Sequence, residues 1–213
     1  MKTEDLVNML ASSSVAVAPH AAARRYGLAV GGGALVALTL MVPLLGVRAD
    51  LADAAQLPMF WFKLAYVGGL LMASLLASLR LSRPGARLTG LASLLMAPVL
   101  AMWLWALVVL TRAAPATRSQ LFYGETWTDC PLLIASLSAP VFVAVIWAMQ
   151  GLAPTRLHLA GAAAGLLAGT TGALVYCLHC PEIEAPFLAF WYLLGMLIPA
   201  TAGAAVGPRL LRW

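Results

Sequence analysis

The chain has 213 residues, of which 62% are hydrophobic and only 10% charged. So little charge cannot cover the surface of a soluble domain, so a soluble enzyme is excluded and an integral membrane protein is indicated. The net charge of +5 falls unevenly along the chain, as a topology signal, and does not indicate a direct nucleic-acid partner.

Residues 1–25, "MKTEDLVNMLASSSVAVAPHAAARR", form a tail ahead of the first apolar block. Thr3 suits an N-cap and Glu4 and Asp5 suit a first turn, so a helix is expected to begin here. Leu6, Met9, Leu10 and Ser13 share one face by three-to-four spacing. A helix this short is marginal in water and gains stability when its apolar face docks, either in a partner's groove or on the membrane surface.

Six apolar blocks follow, at 26–45, 62–79, 91–110, 131–149, 159–176 and 188–206. Each approaches the ~20 residues that cross a hydrocarbon core of about 30 Å. Buried backbone there is satisfied only in helices or a closed barrel, and the period-2 alternation of a barrel is absent. The expected fold is all-α: a polytopic integral membrane protein with six transmembrane helices over residues 26–207 and a short C-tail at 208–213. Breakers at 83–85, 114–116, 153–155 and 180–182 separate the blocks. The long tail and long first block do not fit a signal peptide, whose apolar region runs about 7–15 residues.

Nine of the 13 basic residues fall on one side: Lys2, Arg24, Arg25, Arg80, Arg83, Arg87, Arg156, Arg209 and Arg212. The positive-inside rule therefore places both termini in the cytoplasm, for a multi-pass protein of a bacterial inner membrane. Tyr26, Trp61, Trp127, Trp147, Trp191 and Trp213 stand near the expected interfaces as anchors. The core of each block lacks ionisable residues, which argues against an ion or proton pathway. Lys63, near one end of the second block, is expected to snorkel. Gly161, Gly165 and Gly169 recur every four residues, and Gly68, Gly69, Ala73 and Ala77 line the second block. This pattern suits close helix packing, within one chain or in a homo-oligomer.

All three cysteines fall on the outer side, in "GETWTDCP" (124–131) and "CLHCPE" (177–182). Several chemistries fit. Cys130, Cys177, His179 and Cys180 offer four ligands for zinc or a softer, transient metal ion. A Cys130–Cys180 disulfide would tie the third loop to the fifth, in a compartment where disulfides persist. The C-x-x-C with its histidine also suits thiol–disulfide exchange. In the plainest alternative, Cys177 is a small apolar residue of a last helical turn and His179 an interfacial side chain. No resident cofactor is required. No phosphate loop, nucleophile elbow or metalloprotease motif is present, so no catalytic residue is assigned.

The tail "MKTEDLVNMLAS", the six blocks, the two cysteine–proline segments and the closing "FWYLLGMLIPATAGAAVGPRLLRW" (190–213) together resemble the NrsF-type anti-sigma factors, membrane-bound negative regulators of extracytoplasmic-function sigma factors. The resemblance implies a cytoplasmic tail that sequesters the sigma factor, which gives Leu6, Met9 and Leu10 a partner. It also implies two outward cysteines that sense a signal, matched here by Cys130 and Cys180. Cys177 is an addition, which leaves open the thiol that pairs with Cys130. The competing readings are a membrane thiol–disulfide oxidoreductase and a structural membrane subunit without a switch.

Overall fold

The structure is a computed structural model that describes residues 3–12, 21–85 and 89–212. Lys2, Ser13, Arg87 and Trp213 lie outside the described residues, as do the side chains of Leu6 and Leu10. The described residues form nine helices and no strand: α1 (Thr3–Ser12), α2 (Ala21–Leu44), α3 (Leu51–Ala54), α4 (Pro58–Leu81), α5 (Leu91–Arg112), α6 (Pro115–Tyr123), α7 (Cys130–Gln150), α8 (Leu157–Tyr176) and α9 (Ala185–Leu210). Residues 188–192 of α9 form a π-helical segment.

Six of these helices, α2, α4, α5, α7, α8 and α9, are long and apolar enough to cross a membrane. They outrun the apolar blocks because helix geometry continues into polar ends. α2 thus begins at Ala21 and takes in Arg24 and Arg25. Prolines open α4, α6 and α7, where the missing N–H has no intrahelical partner to lose. Thr3, expected as a cap, is helical within α1. The short α3 and α6 were not expected; both lie in loops at the end of the bundle that carries the cysteines.

α8 is the centre of the bundle, packed against α9, α7, α4 and α2. Its most apolar stretch is 78% buried, whereas that of α5 is 6% buried, so α5 is the least covered of the six. α8 can be central because it is thin. A Cβ on Gly161 would strike the Gly203 carbonyl, one on Gly165 the Pro199 carbonyl, and one on Gly169 would come within 2.6 Å of the Met196 carbonyl. The glycine stripe therefore joins α8 to α9 within one chain.

Lys63 does not snorkel. It sits in the second turn of α4, fully buried. The reason is local: its ammonium finds better partners inside the bundle than at the rim.

Candidate functional site

Three segments meet at the cysteine end of the bundle: the start of α7, the turn after α8, and the second turn of α4. Cys130 is the first residue of α7, with Pro131 directly after it. Cys177 caps α8, and the next residues coil tightly, with the Cys180 N–H donating to the Tyr176 carbonyl at 3.0 Å. All three cysteines are free thiols, and each is fully buried. Cys130 and Cys180 face one another closely enough for the Cys130 thiol to donate to the Cys180 sulfur.

Lys63 ties this turn to α4. Its Nζ donates to the Cys180 carbonyl at 3.0 Å and the Glu182 carbonyl at 2.9 Å. It also lies 4.7 Å from the centre of the Tyr192 ring. Arg48, from the loop after α2, donates to the same Cys180 carbonyl at 3.4 Å while paired with Asp50 at 2.7 Å. Two cations thus crowd the carbonyl end of α8, where the helix dipole is negative. Among the described residues Arg48–Asp50 is the only ion pair. The Lys63 charge is met by carbonyls, an aromatic face and the neighbouring sulfur rather than by a carboxylate.

This geometry divides the thiols. Cys180 is held below the usual cysteine range, first by the hydrogen bond from Cys130 and then by the Lys63 ammonium. Burial instead pushes Cys177 up to about 11, so it stays a neutral thiol at pH 7. Tyr192 faces both Cys177 and Cys180. The tyrosine projects from the π-helical segment of α9, the kind of local irregularity that re-aims side chains at functional sites.

The two cysteine–proline segments also lock together through Glu182. Its carboxylate accepts the Glu125 N–H at 2.8 Å. Gly124, at φ +56°, lies beneath it, and a Cβ there would come within 2.6 Å of Glu182 Oε1. Trp191 and Trp127 also meet, with ring centres 5.0 Å apart and planes tilted by 50°. The Trp191 indole N–H donates to the Phe122 carbonyl at 3.0 Å, which fastens α6 to α9.

The four residues expected as metal ligands come together in the fold only in part. Cys130, Cys177 and Cys180 share one core cluster. The His179 ring turns away, with Nδ1 at 2.9 Å from the Gly46 carbonyl and its face near Tyr176. Among the described residues no group of three or more His, Cys, Asp or Glu is arranged to hold a metal ion. In α1, Met9 is exposed. Sequence reasoning missed Lys63, Gly124 and Tyr192. The available signal was Lys63 itself, a cation inside a helix long enough to span, with no acid nearby on that helix.

Residues 10–213 match the family described as negative regulator of sigma F, NrsF. The chain is 58% identical to the probable anti-sigma-F factor NrsF of Azospira oryzae, with each chain covered completely. It is 39% identical to the anti-sigma-F factor NrsF of Caulobacter vibrioides, again over the whole of both. No solved structure matches it. The match in family and in full-length relatives places this protein in the NrsF family, which is regulatory rather than enzymatic.

Proposed function

We propose that this protein is a membrane-embedded anti-sigma factor with both termini in the cytoplasm. Residues 1–25 hold an extracytoplasmic-function sigma factor through Leu6, Met9 and Leu10, and Cys130 and Cys180 face outward as the sensor. The observation that carries this reading is the Cys130–Cys180 contact, made in a chain whose full-length relatives are named as anti-sigma-F factors. The signal is a small thiol-reactive agent, because a fully buried pair gives a protein substrate no access. A soft cation would be taken by the two sulfurs, which it prefers to nearby oxygens. An oxidant such as the diazene diamide would form the Cys130–Cys180 S–S bond, taking two electrons and two protons and leaving as the hydrazine.

The test uses the full chain in its membrane. Burying a leucine contributes about 1.5–3 kcal/mol, and a micromolar complex is worth about 8 kcal/mol. Leu6→Asp with Leu10→Asp should therefore abolish sigma-factor retention and leave sigma-dependent transcription permanently on. Retention and repression by the double variant would contradict the docking role of the tail. Reporters fused at the C-terminus and in the two cysteine loops check orientation; a C-terminus outside the cytoplasm would overturn it.

A further inference from the structure

Arg25 and Tyr26 stand where the tail enters α2, and each is gripped by a helix whose far end lies in the thiol cluster. Tyr26 is fully buried. Ser82 Oγ donates to the Ser78 carbonyl at 2.7 Å, so the Tyr26 hydroxyl donates to Ser82 Oγ at 2.7 Å. Ser78 belongs to α4 and Ser82 caps it, while Lys63 at the other end of α4 grips the Cys180 and Glu182 carbonyls. The Arg25 guanidinium lies 4.9 Å over the Trp147 ring and donates to the Trp147 carbonyl at 3.3 Å. It also fills the space above Gly151, where a Cβ would collide with it. Trp147 is near the end of α7, the helix that begins with Cys130. At 1.5 Å per residue, Lys63 and Ser82 are about 28 Å apart, and Cys130 and Trp147 about 26 Å.

We propose that α4 and α7 act as paired levers, converting a change of bonding between Cys130 and Cys180 into a change in how Arg25 and Tyr26 are clamped at the base of the tail. The inference rests on the sensor reading of the cysteines and on the tail as the docking element. Cys130 is built into α7, and Cys180 is tied to α4 through Lys63. Drawing the two sulfurs into one bond, or onto one shared ligand, therefore changes the setting of α4 against α7. Packed helices shift as stiff units between discrete arrangements. The middle of α4 leaves room for such a shift: its buried residues Ala73, Ser74, Ala77 and Ser78 are small, with Ser74 Oγ 3.2 Å from Thr170 Oγ1 on α8, while Val67 and Leu70 pack the half nearer the thiols. α2 rests mainly on α7 and α8 and touches α4 little, so the Tyr26 hydroxyl is a discrete tie.

Coupling between two sites must be reciprocal, which makes the proposal testable from the far end. Tyr26→Phe removes one hydroxyl and leaves Ser82 bonded to Ser78. In full-length protein in native membranes, site-resolved labelling of Cys180 by a small maleimide should change at least three-fold in Tyr26→Phe. Sigma-dependent transcription should rise without any signal. Ser82→Ala should have the smaller effect, because the Tyr26 hydroxyl keeps the Ser78 carbonyl, at 3.5 Å, as an acceptor, and the double variant should match Tyr26→Phe. Unchanged Cys180 labelling in both single variants would overturn the levers. If Cys130→Ser and Cys180→Ser abolish the signal response while that labelling is unchanged, the sensor reading survives and only the levers fall. If the cysteine variants respond normally, the sensor reading fails and takes this inference with it.

Discussion

Along the α8–α9 seam backbone meets backbone, through Gly161, Gly165 and Gly169 on one helix and Gly203 and Gly207 on the other. At the cysteine end, side chains fill the space: Lys63 reaches across to two carbonyls, Glu182 reaches a loop N–H, and Tyr192 leans over two thiols. The seam has no atoms that can move aside, so it serves as a fixed frame. The cysteine end is joined by a handful of directional contacts that can be exchanged one at a time. The rigid contacts and the exchangeable ones thus occupy different helix pairs.

The comparison breaks most sharply at the seam. A side chain at Gly165 must push into the Pro199 carbonyl and the Ala200 Cα, which would lie only 2.8 Å from its Cβ. Gly165→Val should cost about 3 kcal/mol or more by overpacking, seen as loss of the protein from the membrane in an immunoblot. Gly124→Ala should be milder. Its backbone conformation is one that glycine adopts freely, and the added methyl meets the Glu182 carboxylate, for a cost of about 1–3 kcal/mol. The protein should accumulate but melt earlier, with the loop before α7 more open to protease.

Lys63→Met sharpens the contrast by acting on chemistry more than on stability. It strands the Glu182 carbonyl, a loss of about 1–2 kcal/mol, and removes the positive charge beside Cys180. Cys180 should then lose part of its reactivity at neutral pH. The sign follows from the shift: the native thiolate persists below the usual cysteine range, since Cys130 and Lys63 favour it. Alkylation of Cys180 by iodoacetamide should therefore fall off at a higher pH in the variant than in the native protein, while the Cys130 hydrogen bond, the larger of the two effects, still favours the thiolate in both. Cys177, pushed up to about 11, should stay unmodified near neutrality in both. The smallest effect is expected of Cys177→Ala, under about 1 kcal/mol, with the signal response intact in a reporter assay.

The parts of this design that depend on composition and period were legible in the chain. Apolar blocks of spanning length marked α2, α4, α5, α7, α8 and α9, and glycines every four residues marked a close-packing face. The partner of that face was not legible, because spacing names a surface and not what covers it. The two cysteine–proline segments stood out as polar insertions in an apolar chain. The grip of Lys63 on the turn did not, because a lysine one turn inside a span reads equally as a snorkelling anchor until the carbonyls of residues 180 and 182 are seen beneath it. Gly124 was hidden for a similar reason: the side chain that leaves no room for a Cβ there is Glu182, distant in sequence.

On the proposed reading, the bonding state of Cys130 and Cys180 decides whether the tail keeps its sigma factor. Co-sedimentation of the sigma factor with membranes that carry the full-length protein, before and after diamide, measures this. The wild type should lose at least nine-tenths of the bound sigma factor on oxidation and regain it on reduction, while the Cys130→Ser and Cys180→Ser double variant should hold it throughout. Equal retention by both proteins, or equal loss from both, would contradict the account.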